Sequence, residues 1–443
     1  MSKVVILGGG ESGIGAAVLA KKKGFETFLS DFGVLNRQYK EELELQNIDF
    51  EEEGHTESLI LDADMIIKSP GIPGTIPLLK KAKDNGIKIV SEIEFAFELT
   101  GANVIAITGT NGKTTTTSLI YHLLESAGYD VGLGGNIGFS FARQVAEQDK
   151  EWYVLEVSSF QLDDIDTFRP NIAVLLNITP DHLDRYDYDM SKYVDSKFRI
   201  TKNQKSGDSF IFNADDEFIK QRLNDSILEN RDCVPVSLTS QSENSICVYD
   251  GMELIFPASD LRISFNELSL KGPHNVQNVA HAVVAVKKAG LENEQILNGL
   301  RTFSPIEHRM EKVAEVDGVS FYNDSKATNV DATKFALESF DDVIWIAGGV
   351  DKGNDYALLS EIVEKNVKAL IALGKDNAKL ISAFKNIIPV YDCHSMDEAI
   401  EKAVGLAEKG DVVLLSPACA SFDLFKNYEH RGQVFKQEVN KLL

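Results

Sequence analysis

The segment Thr108-Gly109-Thr110-Asn111-Gly112-Lys113-Thr114-Thr115 joins an apolar run at 104–108 to a helical pattern. A glycine-rich turn between a strand and a helix directs backbone N–H groups at a phosphate. Gly109, Thr110, Asn111 and Gly112 supply that cradle, Lys113 can reach the β and γ oxygens, and Thr114 can ligate Mg²⁺, with Thr115 beside it. The strict form of this loop carries glycine at 107, where Ile107 stands, so the loop is shortened. The chemistry expected is ATP binding.

Two further groups turn a nucleotide site into a catalytic one. Glu156 ends the strand-like run 152–157, and His182 follows the run 172–178 within Thr179-Pro180-Asp181-His182-Leu183-Asp184. In a parallel sheet, strand C-terminal ends share one edge with the phosphate loop. A carboxylate and an imidazole at that edge suit Mg²⁺ and phosphate chemistry. Alone, Glu156 reads as a surface acid and His182 as a turn histidine; beside Lys113 they read as a catalytic set.

A second glycine loop, Gly8-x-Gly10-x-x-Gly13, follows residues 4–7, opens a helical pattern and precedes Asp31 by 18 residues. Its glycines allow a tight turn, close approach to a diphosphate and close helix–sheet packing. The helix N-terminus then faces the anion. Dinucleotide dehydrogenases use the same device, so this loop alone leaves a nicotinamide enzyme open.

The elements that must hold these groups alternate strand and helix, which predicts an α/β protein with parallel sheets. Apolar runs at 4–7, 65–67 and 87–90 form a first unit, closing near residue 93. The pattern restarts at 104–108 and continues through 152–157, 172–178 and 209–212; residues 225–270 read as a small β-rich insertion, and a helix over 276–289 ends at Gly290. A third unit has strands at 343–347, 369–373 and 412–416. The expected division is 1–93, Rossmann-like; 94–302, a P-loop domain; and 303–443, a second Rossmann-like α/β domain.

The 443-residue chain is 43% hydrophobic and 26% charged, with a net charge of −23, which disfavours nucleic acid and anionic lipid as partners. Its four cysteines form no C-x-x-C pair and read as reduced thiols. The apolar start is too short for a signal peptide, and no run is long enough for a membrane span, so a cytoplasmic protein is expected.

In chain order, TGTNGKTT (108–115), Asn136-Ile137-Gly138, LEVSSFQL (155–162), TPDHLDRY (179–186), Lys197 in YVDSKFRI, GPHNVQN (272–278), His308-Arg309, NDSKATN (323–329), Gly348-Gly349 with Lys352, and SPACASFD (416–423) resemble the Mur ligase family. The likeness covers essentially the whole chain. It implies a ligase that activates a UDP-linked muramoyl carboxylate as an acyl phosphate and joins it to an amino acid. SSFQL and SPACASFDLFKNYEHRG (416–432) fit the D-glutamate-adding branch, and the Asp-Asn-Pro-Arg motif of the diaminopimelate-adding branch does not occur.

The resemblance implies site residues as well. Thr114 and Glu156 would bind one Mg²⁺, and Glu156, His182 and a carbamylated Lys197 a second; taken alone, Lys197 is an ordinary helix-surface lysine. Asn275, Arg309 and Asp324 would serve ATP; Ser12, Asp31, Gly71, Asn136 and His182 the UDP-sugar; Thr328, Lys352, Ser421 and Phe422 D-glutamate, with Lys326 near the reacting groups. Relatives often carry a basic residue shortly after the acid that Asp31 matches, whereas this chain reads Asp31-Phe32-Gly33. The implied partners are UDP-N-acetylmuramoyl-L-alanine, D-glutamate and ATP, with the chain acting as a monomer. A sister Mur ligase or folylpolyglutamate-type ligase using another amino acid is the alternative, although the folate enzyme lacks the N-terminal domain. A nucleotide-driven switch has no need of the second metal set, and a dehydrogenase has no use for the P-loop.

Overall fold

A computed structural model describes residues 2–223, 231–238, 246–270, 272–304, 307–351 and 354–443. The chain divides into two compact units, residues 1–268 with 275–303, and residues 269–274 with 304–443.

The first unit contains two parallel sheets. In the five-stranded one, Lys3–Leu7 is central, flanked by Glu26–Ser30 and Asp49–Glu51 on one side and by Met65–Lys68 and Lys88–Ser91 on the other. Val4, Val5, Ile6 and Leu7 are all buried, as a strand covered by helices on both faces requires. In the six-stranded sheet the order is Asp232–Val236, Ser209–Asn213, Ile172–Leu175, Asn103–Thr108, Trp152–Glu156 and Val131–Gly135. Asp232–Val236 corrects one expectation, because it extends this main sheet instead of joining the insertion. The rest of the predicted insertion is a three-stranded antiparallel sheet, Val248–Tyr249, Glu253–Phe256 and Leu261–Ser264; residues 224–230 and 239–245 lie outside the described residues.

One apolar core runs across both parallel sheets. Ile14, Ala17 and Val18 of the helix Glu11–Lys22 belong to the same cluster as Phe141, Ala142 and Val145 of the helix Phe141–Glu147. Polar links join the two sheets beside this core. Lys68, 3% exposed at its side chain, pairs with Asp164 at 2.8 Å, and Arg185 donates to Pro70 O and Gly71 O, each at 3.4 Å.

The second unit is built on a six-stranded sheet ordered Glu311–Val316, Val319–Asn323, Val412–Leu415, Val343–Ala347, Val367–Leu373 and Val390–Cys393. Its first two strands form an antiparallel hairpin and the rest are parallel. The hairpin turns on Asp317-Gly318, both at positive φ (52° and 82°), the backbone geometry that an Asp-Gly pair favours. Val343–Ala347 is buried along its whole length between two apolar clusters, one on each face of the sheet.

Candidate active site

Bonds to Asn177 hold the phosphate loop in shape. Thr110 N donates to Asn177 O at 2.9 Å, Asn111 N to Asn177 Oδ1 at 2.8 Å, and Asn177 Nδ2 returns a bond to Asn111 O at 3.0 Å. Gly112 precedes the helix Lys113–Ser126 at φ 81°, and a Cβ there would lie 2.3 Å from Asn278 Oδ1, so only glycine fits. Lys113 Nζ donates to Gly109 O at 2.9 Å and to Thr110 O at 2.7 Å. Thr114 and Thr115 are buried in the first helical turn.

The neighbouring strands deliver the other predicted groups to this edge. Glu156 pairs in register with Ile107, two residues before Gly109, and is 2% exposed. Asn136 clamps it, donating from its backbone to Glu156 O at 2.8 Å and from Nδ2 to Glu156 Oε1 at 2.9 Å. The loop carrying His182 is bonded to the phosphate loop through Thr110 Oγ1, which donates to Thr179 O at 3.1 Å and accepts from Thr179 N at 3.0 Å. His182 takes a left-handed conformation (φ 53°), and its Nε2 lies 3.6 Å from Asp181 Oδ2. Its ring meets Phe160 edge-on at 5.2 Å.

Lys197 is no surface lysine. It is 1% exposed, its Nζ donates to Gly109 O at 2.7 Å, and it lies 4.5 Å from the centre of the Tyr193 ring. Burial, and secondly the charge of Lys113, hold its amine well below the ordinary lysine range. A neutral amine is the form that adds CO₂ to become a carbamate. Tyr193, whose hydroxyl is 3.2 Å from Thr110 Oγ1, belongs to this group although sequence reading passed over it. The signal was present in its spacing, one helical turn before Lys197.

At the edge of the five-stranded sheet, the turn Gly8–Gly13 closes tightly: a Cβ on Gly13 would sit 1.8 Å from Gly8 O. Asp31 secures the turn by accepting from Gly9 N, and accepts from Gly33 N at 2.7 Å. Ser12 lies in the first turn of the helix Glu11–Lys22, Gly71 is exposed in the loop after Met65–Lys68, and Asn136 is exposed beside Glu156. Phe32, which follows Asp31 in the stretch where relatives often carry a basic residue, is 77% exposed and faces His55 at 5.9 Å between ring centres.

Asn275 belongs to the first unit, where it is buried and its Oδ1 accepts from Asn278 Nδ2 at 3.0 Å. The other predicted nucleotide and amino-acid groups lie in the second unit. Asp324 is buried after Val319–Asn323; its Oδ2 accepts from Ser416 Oγ at 3.0 Å, and burial lifts its carboxyl to about 7 against the lowering influence of Arg309. Thr328 is half-buried just before the helix Val330–Glu338, Ser421 is buried, Phe422 is 73% exposed, and Lys326 Nζ lies 5.0 Å from the Tyr428 ring centre. Lys352 lies outside the described residues.

Arg431 is a residue that sequence reading quoted without assigning a role. It is 1% exposed and donates to Ser325 Oγ at 3.0 Å, Ser325 O at 2.9 Å, Gly348 O at 3.3 Å and, from both Nη atoms, Cys419 O at 3.2 Å. One guanidinium thereby gathers the loops that follow three adjacent strands.

Among the described residues, no cluster of three or more His, Cys, Asp or Glu side chains is placed to hold a metal. The donors at the phosphate-loop edge are a hydroxyl (Thr114) and a carboxylate (Glu156), both hard oxygens that suit Mg²⁺. A second site needs an oxygen that unmodified Lys197 does not carry. A carbamate on its buried amine would supply one, so the residues fit the group.

Residues 107–286 match the Mur ligase middle domain, residues 308–419 the Mur ligase, glutamate ligase domain, and residues 3–75 the MurD N-terminal domain. The chain is 49% identical to the UDP-N-acetylmuramoylalanine--D-glutamate ligase of Christiangramia forsetii over 99% of each chain. It is 51% identical to the protein of the same name from Bacteroides thetaiotaomicron over the full length of both. Among solved structures, the UDP-N-acetylmuramate-alanine ligase of Thermotoga maritima superposes over all of both chains with a TM-score of 0.65 at 17% identity. The MurF ligase of Thermotoga maritima in complex with ADP superposes over 94% of this chain and 96% of its own, with a TM-score of 0.63 at 16% identity. These two share its three-domain α/β fold.

Proposed function

The chain belongs to the Mur ligase family, and on that premise we propose that it joins D-glutamate to UDP-N-acetylmuramoyl-L-alanine, converting ATP to ADP and phosphate, in peptidoglycan precursor synthesis. One observation carries the reading: identity at about half of all positions along the whole length of D-glutamate ligases.

A carboxylate is a poor electrophile, so it must first be activated. Its oxygen attacks the γ-phosphorus, ADP leaves, and an acyl phosphate forms. The amine of D-glutamate then attacks the acyl carbon, loses a proton, and expels phosphate through a tetrahedral intermediate. Positioning and charge neutralisation supply most of the catalysis in such a sequence.

This chain's residues divide that work. Amides of Gly112 and of the first turn of the helix Lys113–Ser126, with the Lys113 ammonium, hold the β- and γ-phosphates, while the Thr110 and Asn111 amides keep the loop's shape through Asn177. Thr114 and Glu156 hold one Mg²⁺, and Glu156, His182 and carbamylated Lys197 a second. Bound Mg²⁺ neutralises phosphate charge where negative charge accumulates. Asn275, Arg309 and Asp324 bind the nucleotide. Ser12, Asp31, Gly71, Asn136 and His182 bind the UDP-sugar, whose diphosphate faces the helix starting at Glu11. Thr328, Lys352, Ser421 and Phe422 receive D-glutamate, for which one cation and several donors are appropriate partners.

No helix among the described residues is long and apolar enough to cross a membrane. We assign the reaction to the cytoplasm, where ATP and nucleotide-linked precursors are found, and the three domains to residues 1–93, 94–302 and 303–443. The test is phosphate release from ATP with UDP-N-acetylmuramoyl-L-alanine and, separately, D-glutamate, L-lysine and diaminopimelate. Turnover that requires D-glutamate supports the proposal. Turnover with another amino acid in its place makes the chain a sister ligase and overturns it.

A further inference from the structure

Arg143 opens the question of how the two parallel sheets of the first unit are kept in register. It lies on the helix Phe141–Glu147, just beyond the loop that carries Asn136, and is 8% exposed. Its guanidinium grips two carboxylates from helices that follow strands of the five-stranded sheet, Glu11–Lys22 and Arg37–Leu45. Nε donates to Glu11 Oε1 at 2.7 Å and Nη2 to Glu11 Oε2 at 3.2 Å; Nη1 donates to Glu42 Oε1, and Nη2 to Glu42 Oε2 at 3.1 Å.

Glu11 is the first residue of the helix that the turn Gly8–Gly13 opens. Its Oε1 also accepts from Ser140 N at 3.2 Å, and Ser140 Oγ caps the second helix by accepting from Arg143 N at 3.0 Å. On the far side of the same loop, Asn136 is bonded to Glu156 by backbone and side chain. Polar contacts therefore anchor both ends of the loop 136–140: Ser140 to Glu11 and Arg143 beside the N-terminal glycine turn, and Asn136 to Glu156, with the short backbone of residues 137–139 between them.

The energetics favour a geometric role. A bidentate Arg–carboxylate pair is directional, and an ion pair withdrawn from water adds little net stability. Removing one partner is costly, however, so the pair tolerates few arrangements. A Glu11 without Arg143 would also be a carboxylate free to swing toward the helix N-terminus, where it would compete with an anionic ligand.

We propose that Arg143 is a positioning residue for the UDP-sugar: by holding Glu11 and Glu42, it sets the diphosphate-facing turn in register with Asn136 and Glu156. The inference rests on the UDP-sugar reading given above. The two part company in a binding experiment that needs no turnover.

Calorimetric titration with UDP, and with a non-hydrolysable ATP analogue as control, is carried out on the full chain and on Arg143→Met, Arg143→Lys and Glu11→Gln. Arg143→Met should weaken UDP binding about tenfold or more while leaving the ATP analogue within about twofold. Arg143→Lys should recover part of that loss. In steady-state assays the same variants should raise the KM for the UDP-sugar more than the KM for ATP. If Arg143→Met does not fold, Arg143→Lys and Glu11→Gln carry the test, each expected to weaken UDP selectively. Absence of UDP binding by the unaltered chain sinks the UDP-sugar reading itself. Normal UDP affinity in folded variants, or equal losses for both nucleotides, sinks the role of Arg143 alone.

Discussion

Lys113 and Lys197 direct their amines at one oxygen, the backbone carbonyl of Gly109, at 2.9 and 2.7 Å. Two full positive charges that close repel strongly, and Lys197 is the one cut off from water. The pair therefore differs in chemistry: burial, and secondly the charge of Lys113, favour the uncharged form of the Lys197 amine, while Lys113 stands at the phosphate loop.

Replacing Lys197 tests the buried amine. Lys197→Ala should lower kcat by about 100-fold or more, the scale on which losing one charge-stabilising group acts. Added formate or acetate should restore part of the rate, because a small carboxylate can occupy the place of a carbamate. Depletion of CO₂ and bicarbonate should slow the unaltered enzyme and leave the variant unaffected. Wild-type rates in the variant would return Lys197 to a packing role.

Replacing Lys113 tests the phosphate-loop cation. Lys113→Ala removes the only side-chain cation of the phosphate loop. Turnover should fall by about 1,000-fold, with a smaller loss of ATP affinity, as expected for a charge that acts most on the transition state. Single-turnover and equilibrium binding measurements separate the two effects.

Glu92 provides a pH prediction. It is fully buried, and burial lifts its carboxyl from an ordinary 4.5 to about 7, opposed by the Ala142 amide and the Ser140 hydroxyl. Its folded-state value lies above its unfolded one, so its contribution to stability is complete below about 4.5 and is lost as pH rises through about 7. The loss is about 3 kcal/mol between those limits. Glu92→Gln removes the titration. Urea unfolding at pH 5 and pH 8 should show a smaller stability difference for the variant, and an unchanged difference would mean that Glu92 titrates normally.

Arg431 predicts a defect confined to the second unit. Arg431→Lys keeps the charge but cannot reproduce a planar fork reaching Ser325, Gly348 and Cys419 together. A loss of about 2–3 kcal/mol in unfolding stability is expected from charged hydrogen bonds left unmade. The KM for D-glutamate should rise, because Ser421 and Lys326 lie on the gathered loops, whereas UDP binding should not change. Equal effects on both ligands would contradict this division.

The local devices were legible in the sequence. Each glycine turn, with the strand before it and the helix after it, lies within one continuous stretch, residues 3–22 and 103–126, and its geometry follows from glycine at fixed offsets. Strands dominated by β-branched residues, such as Val343–Ala347, were read within a residue of their ends. Others escaped for specific reasons. Val131–Gly135 contains three glycines, which erase the apolar signal, and Asp49–Glu51 is a three-residue edge strand. The hairpin at Asp317-Gly318 carried a readable turn signal that was passed over.

Sequence alone thus determined which residue types stand at strand ends and beside the glycine turns, because those relations are short-range and set by backbone sterics. Tertiary structure alone decided how buried the charges are. Lys197 has the spacing of a surface lysine, yet it is closed off against Gly109, 88 residues away. Arg143 meets Glu11 across 132 residues of chain. Desolvation and pairing depend on what packs around a group in space, and no periodicity along the chain encodes that.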